Sequence, residues 1–160
     1  MNIFLRPAES SVKRLLAESD LPVADLTPRL MEHFLGCGSA EVLTGVVGLE
    51  IFGPVALLRS LAVAGNHRGS GLGKALVAAA EGYARSRGVE ELYLLTTTAD
   101  RFFERLGYER ADREAAPESI RGTSEFSGLC PSSSVFMLRR LPADPALNPD
   151  APPLPARRLA

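Results

Sequence analysis

The sequence predicts a mixed α/β fold, one central sheet with helices on both faces, on three observations. Residues 55–97 read as a strand, a glycine-rich loop, an amphipathic helix and a second strand, an order that implies a right-handed crossover. "EVLTGVVGLEIF" and "VALLRSLAV" flank Gly53-Pro54 and are rich in Val, Ile and Leu, which reads as an antiparallel pair joined by a turn. A chain of 160 residues suits a single domain with one core, and a sheet layered between helices buries such a core.

The elements follow in order. "NIFLR" reads as a short strand. From Glu9 to about Ser19 a helix is expected, with Val12, Leu15 and Leu16 on one face. "LTPRLMEHF" starts a second helix, with Thr27 as N-cap and Pro28 at the first helical position. The strand pair around Gly53-Pro54 comes next. A helix over about 71–87 carries Leu72, Leu76, Ala79, Ala80 and Tyr83 as its apolar stripe, with Lys74, Glu81 and Arg85 outward and Gly88 as its stop. "ELYLLTT", residues 91–97, is apolar on both faces, as an interior parallel strand is. "DRFFERLG" is a short helix, and "SVFMLRR" is the last strand after a long connection over 112–133. Residues 141–160 hold six of the twelve prolines, which lack the amide proton that helices and strands use. They are expected to be a disordered tail, so the folded domain spans 1–140.

Composition removes whole classes of function. The 18 Lys and Arg nearly balance 19 Asp and Glu, for a net charge of −1. No nucleic acid or acidic membrane surface is expected as partner, because such partners select clustered basic residues. No apolar run is long enough to span a bilayer, and "MNIFLRPAES" is too short for a signal peptide. Cys37 and Cys130 are far apart and fit no metal spacing, so no metal and a reduced cytoplasmic protein are expected. His33 and His67 read as surface or packing residues.

The most informative stretch is "HRGSGLGK", residues 67–74. A Walker loop needs Gly six residues before its Lys and Ser or Thr after it, and Arg68 and Ala75 stand there instead. The dinucleotide fingerprint counted from Gly69 and Gly71 needs Gly where Lys74 stands. What remains is Arg68-Gly69-Ser70-Gly71-Leu72-Gly73 at the start of a helix. Glycines allow close approach to the backbone, and unpaired first-turn amides with the helix dipole favour an anion of pyrophosphate size. A plain glycine-rich connector with a solvated arginine is the competing reading of this loop.

Context turns the loop into a resemblance. Arg-x-x-Gly-x-Gly after "LAV" and before an alanine-rich helix resembles the acetyl-coenzyme A motif of the GNAT N-acetyltransferases. "ADRFFERLGY", residues 99–108, is similar to that family's Ala-x-x-Phe-Tyr-x-x-x-Gly-Phe segment, and the likeness covers almost all of 1–140. Residues 92–137 resemble the GNAT subfamily associated with arsenic-resistance gene clusters. The resemblance implies that acetyl-CoA lies between splayed parallel strands 55–63 and 91–97. It implies backbone pairing of the pantetheine arm with Leu61, Ala62 and Val63. Amides from Gly69 through Ser70, Gly71, Leu72 and Gly73 to Lys74 would hold the pyrophosphate, with Arg68 adding charge and Thr97, Phe102 and Phe103 lining the cofactor cleft. A homodimer is an expectation of the same kind.

The implied chemistry is attack of a neutral amine on a thioester carbonyl, with an oxyanion donor among the amides near Leu61–Val63. Phe103 stands where many relatives carry a proton-donating tyrosine, which leaves Ser60, Thr97, Tyr108 or water to supply the thiolate's proton. Glu50 interrupts an apolar segment and is the candidate base, or else an ordinary edge carboxylate. Arg59 sits inside "VALLRSLAV", and a buried arginine needs an anion. That anion is either structural, Glu50 among the options, or an anionic group of the acceptor. Strand alternation puts Ser60 opposite Arg59 unless a bulge intervenes. Arg121, Thr123, Glu125 and Cys130 are acceptor contacts by the position of their loop, and Cys130 is alternatively a packed hydrophobe. The expected function is acetyl transfer to the amine of a small polar, amino-acid-like, anionic acceptor, arsenic-containing analogues included. A coenzyme A-binding sensor without turnover is the alternative, and a protein-modifying acetyltransferase a third.

Overall fold

The computed structural model describes residues 2–39, 41–131 and 133–142; residues 143–160 of the expected tail lie outside the described residues. Strands β1 (Ile3–Leu5), β2 (Phe34–Gly38), β3 (Leu43–Phe52), β4 (Val55–Val63), β5 (Glu91–Thr96), β6 (Glu109–Arg110) and β7 (Val135–Arg140) form one sheet in the order β1-β2-β3-β4-β5-β7-β6. Only β4 and β5 run parallel, and they pair over Val55–Leu57 and Glu91–Tyr93 alone. Beyond that the two strands diverge. β3 and β4 form the expected hairpin, with Gly53 at φ +65° in its turn.

Helix α2 (Leu72–Ser86) covers one face. It buries Leu72, Leu76, Val77, Ala80 and Ala84 against Leu49, Leu58, Leu92, Leu94 and Met137. Each large side chain removed from water there contributes on the order of 1.5–3 kcal/mol. The apolar stripe therefore turns onto Val77 and Ala84, while Ala79 and Tyr83 flank it. Tyr83 stays at the edge because its hydroxyl shares a 2.6 Å hydrogen bond with His33 Nδ1. Glu81 does not point outward as expected: it accepts hydrogen bonds from Tyr108 Oη at 2.9 Å and Arg139 Nη1 at 2.6 Å. Helix α1 (Glu9–Glu18) covers the other face through Val12, Leu15 and Leu16, packed with Met31, Phe34, Val46 and Ala62. Beside it, α4 (Glu118–Arg121) and its flanking turns pack Ile120 and Ala116 on Leu57, Tyr93 and Phe136.

The second helix is corrected by the structure. Thr27 Oγ1 does accept the Leu30 amide at 3.2 Å, yet only one 3-10 turn, Leu30–His33, follows. Phe34-Leu35-Gly36-Cys37-Gly38 then becomes β2, paired on both sides. Gly48 sits opposite Phe34, and a Cβ on Gly48 would overlap the Phe34 ring. That contact between distant residues overrides a local sequence with no strand pattern.

Candidate active site

Helix α3 (Asp100–Arg105) follows β5 and presents Phe103 towards the split in the sheet. A cavity of about 450 Å³ opens where β4 and β5 part. Its walls include Leu58–Leu61 of β4, Leu94–Thr96 of β5 with Thr97 beyond it, Phe103, Asp20, Glu125, Cys130 and Ser134.

A β-bulge shapes the β4 wall. Gly48 pairs with Arg59 and Val46 with Ala62, so Ser60 and Leu61 together oppose Val47. Ser60 adopts φ +58°, a left-handed conformation unusual for a residue with a side chain. The bulge turns Ser60 toward Arg59, whose Nε donates to Ser60 Oγ at 3.1 Å. Both residues line one cavity, against simple alternation.

Arg59 is 2% exposed and is held by three carboxylates. Its Nη1 donates to Asp25 Oδ2 at 2.5 Å and Glu50 Oε2 at 3.0 Å, and its Nη2 to Asp25 Oδ1 at 2.8 Å. Glu125 Oε1 lies 3.2 Å from Nη2. The guanidinium donors are thus taken up within the chain, which matches the structural alternative for its anion, with Glu50 among the partners and Asp25 and Glu125 beside it. Asp25 was not foreseen, because no local pattern links residue 25 to residue 59.

Glu50 is an Arg59 partner and borders a separate depression with Thr27, Arg29 and His33 rather than the cavity between β4 and β5. Glu125 lines the main cavity. Burial pushes its carboxyl above the usual range, the Arg59 charge pulls it down, and Asp25 and Glu50 push it up again. Cys130 donates its thiol to Glu125 Oε2 at 3.8 Å, and burial with the nearby Glu125 charge raises its pKa to about 11. It is a thiol rather than a thiolate at neutral pH. Arg121 is exposed, donates to the Glu114 carbonyl and is not among the residues lining the cavity. Thr123 is spent on the Ile120 carbonyl at 2.7 Å.

Of the hydroxyls expected to serve the leaving group, Ser60 and Thr97 reach the cavity. Tyr108 does not, because its hydroxyl is committed to Glu81. Phe103 packs edge-on against Tyr108 at 5.4 Å between ring centres. Sequence reasoning missed Ser134. It is 6% exposed, lines the cavity, and its Oγ has no hydrogen-bond partner among the described residues.

At the wide end of the split lies the glycine loop. Gly69 and Gly71 take φ +79° and +83°, and Gly71 is the N-terminal boundary of α2, with no side-chain cap. The first helical hydrogen bond is Ala75 N–H to Gly71 O, so the amides before it lie outside the helical ladder. Arg68 Nε donates to Val63 O at 3.3 Å, while Ser70 Oγ donates to His67 O at 2.5 Å. Phe102 borders Gly73, where a Cβ would lie 3.5 Å from its ring. Leu61 reaches the cavity; Ala62 and Val63 pair with β3 on one edge, and β5 leaves the other edge uncovered. Among the described residues no His, Cys, Asp and Glu group is arranged to hold a metal ion, and no helix is long and apolar enough to cross a membrane.

A sheet split between two parallel strands, with an uncapped glycine-headed helix at its mouth, sets a free strand edge beside an anion-binding helix start. Residues 6–108 match the acetyltransferase (GNAT) family, and the chain belongs to that family. It is 39% identical over 66 residues to an uncharacterised N-acetyltransferase of Chlorobaculum tepidum, a match spanning 41% of this chain and 42% of that one. Its fold is similar to N-acetylglutamate synthase from Neisseria gonorrhoeae complexed with coenzyme A and L-arginine, at TM-score 0.73 and 21% identity, covering 88% of this chain but 33% of that one. A Mycobacterium tuberculosis protein in complex with CoA is similar at TM-score 0.71 and 18% identity, covering 88% of this chain and 99% of that one.

Proposed function

We propose that this chain transfers the acetyl group of acetyl-CoA to the amine of a small molecule. The observation that carries the reading is the split between β4 and β5, open to one cavity and ending at the uncapped start of α2. The free edge of Leu61–Val63 suits the pantetheine amides. The first-turn amides of α2, with Arg68 and Lys74 nearby, suit the pyrophosphate.

In the transfer, the amine nitrogen forms a bond to the thioester carbonyl carbon, the carbon–sulfur bond breaks, and the nitrogen gives up a proton. Glu125, with its raised carboxyl, is suited to take that proton. Ser60 accepts a hydrogen bond from Arg59 Nε, which leaves its own O–H to donate toward the oxyanion or the departing sulfur. Phe103 supplies no proton, and an unassisted thiolate near its ordinary pKa is a tolerable leaving group. Loss of the usual tyrosine therefore slows rather than forbids the step.

An acceptor in arsenic resistance rests on the resemblance of residues 92–137 alone, so amine-bearing arsenicals join the acceptor panel. Both cysteines are free, which favours a cytoplasmic setting. A homodimer is proposed on the family resemblance, and light scattering tests it. The second reading, a coenzyme A-binding sensor, is favoured by Phe103. Calorimetry with acetyl-CoA, followed by thiol release across an amine panel, separates the two. Binding with turnover supports the enzyme, binding without release supports the sensor, and no binding rejects both.

A further inference from the structure

We infer that the acceptor taken by this cavity is a small organic cation, a primary amine without a free carboxylate, seated against Ser134 and Glu125. The inference rests on the proposed acetyl transfer and names the class of its acceptor.

Charge is the first argument. Glu125 and Asp20 line the cavity, and Arg59 is the cation among its lining residues. Arg59 is spent on Asp25, Glu50, Ser60 and Glu125, so three carboxylates surround one guanidinium. An acceptor carboxylate entering here would meet surplus negative charge with no free guanidinium donor. An ammonium group would meet compensation.

Ser134 is the second and independent argument. Leaving a buried hydroxyl without a partner is costly, and native chains rarely do it without reason. Its backbone is pinned, with N–H donated to Pro131 O at 2.9 Å and its carbonyl accepting Arg113 Nη2 at 2.9 Å. The hydroxyl is therefore buried without a hydrogen-bond partner among the described residues, in a residue that borders both this cavity and the depression along Arg110–Glu114. Val135 pairs with Thr96, and Phe136 stacks on Tyr93, which puts Ser134 at the end of the strand pair on the α4 side of the sheet. Arg59 follows Leu57 by two on β4, on that same side, where Glu125 meets it. Ser134 and Glu125 thus both belong to the acceptor side of the split, opposite Phe103 and α2. Ser134 Oγ can accept from an ammonium or hydrogen-bond to a neighbouring polar atom, while Glu125 takes the charge. Ser134 is a positioning residue in this scheme.

The test uses the full chain loaded with acetyl-CoA or coenzyme A. Agmatine, spermidine and tyramine are the cationic probes; L-glutamate and L-glutamine are the carboxylate-bearing ones. Calorimetry on the coenzyme A complex reads binding without turnover, and thiol release reads transfer. The expected result is binding and acetylation of at least one cationic probe, with kcat/KM about tenfold or more above either amino acid. Ser134→Ala is expected to raise the KM for that probe about five- to thirtyfold, with kcat and acetyl-CoA affinity nearly unchanged. Ser134→Thr keeps the hydroxyl and is expected to recover part of the loss. Preference for L-glutamate or L-glutamine overturns the inference, as does a Ser134→Ala variant with unchanged KM. Acetyl-CoA binding with no turnover of any probe overturns it too. Failure to bind acetyl-CoA at all rejects the proposed function instead, so the two failures are distinguishable.

Discussion

Replacing Arg59 by Met tests the central polar cluster. Met keeps much of the stem's volume and removes the charge, so the packing loss is small and the electrostatic loss dominates. In the native chain Asp25, Glu50 and Glu125 have side chains 14%, 12% and 6% exposed and meet Arg59 at 2.5 to 3.2 Å. Removing the shared partner leaves three mostly dehydrated carboxylates facing each other. Breaking a buried pair by deleting one member costs about 3–5 kcal/mol, and limited water access at this site supports about 4. For a domain of this size that lowers Tm by roughly 8–16 °C. Acid relieves the repulsion through Glu125, whose carboxyl is already held above the usual range by burial, so the deficit is larger at pH 7.5 than at pH 5. Urea melts at both values, with wild type alongside, provide the measurement. A loss under about 1 kcal/mol at pH 7.5, or a deficit that grows on acidification, would refute the view that Arg59 anchors this cluster.

The remaining predictions concern the cofactor loop and the two titrating groups. Gly73→Val is expected to weaken acetyl-CoA binding about tenfold or more by calorimetry with little change in Tm, since a Cβ there meets only ordinary contact with Phe102 at 3.5 Å. The Glu125 carboxyl is raised on folding, so the folded state keeps its proton to higher pH than the unfolded chain. Its contribution to stability is full below the unfolded value and is lost as pH climbs through the folded one. Glu125→Gln therefore gains stability relative to wild type as pH rises through that window, while kcat falls about a hundredfold. A pH-independent stability gap would remove Glu125 as the titrating group. Cys130, raised from 9.0 to about 11, should react with iodoacetamide at pH 8 about a hundredfold more slowly than an ordinary thiol in a Cys37→Ser background, and faster once Glu125→Gln removes the carboxylate charge.

Much of the fold was legible because its signals are local. The α2 pattern, the Gly53-Pro54 hairpin and the apolar run of β5 each state their element within about a dozen residues. Strand β2 was not legible: Gly36 and Gly38 carry no strand propensity, and the strand exists because β1 and β3 pair with it and Phe34 packs on Gly48. The glycine-headed start of α2 was readable for the same local reason, since glycines before a helical run allow the positive φ that Gly69 and Gly71 adopt. The polar cluster around Arg59 was not: Asp25, Glu50, Arg59 and Glu125 are far apart in sequence except for the β3–β4 hairpin, and their meeting depends on the sheet order and the bulge at Ser60.

By itself, then, the sequence determined the layered α/β architecture, the glycine-headed helix and the absence of a tyrosine at Phe103, because periodicity, backbone freedom and side-chain identity are properties of short segments. The tertiary structure alone decided that Arg59 is saturated, that Glu125 rather than Glu50 lines the cavity, and that the buried Ser134 hydroxyl has no partner among the described residues. Hydrogen-bond saturation and desolvation depend on which distant atoms come within about 3 Å, and only the folded chain sets those distances.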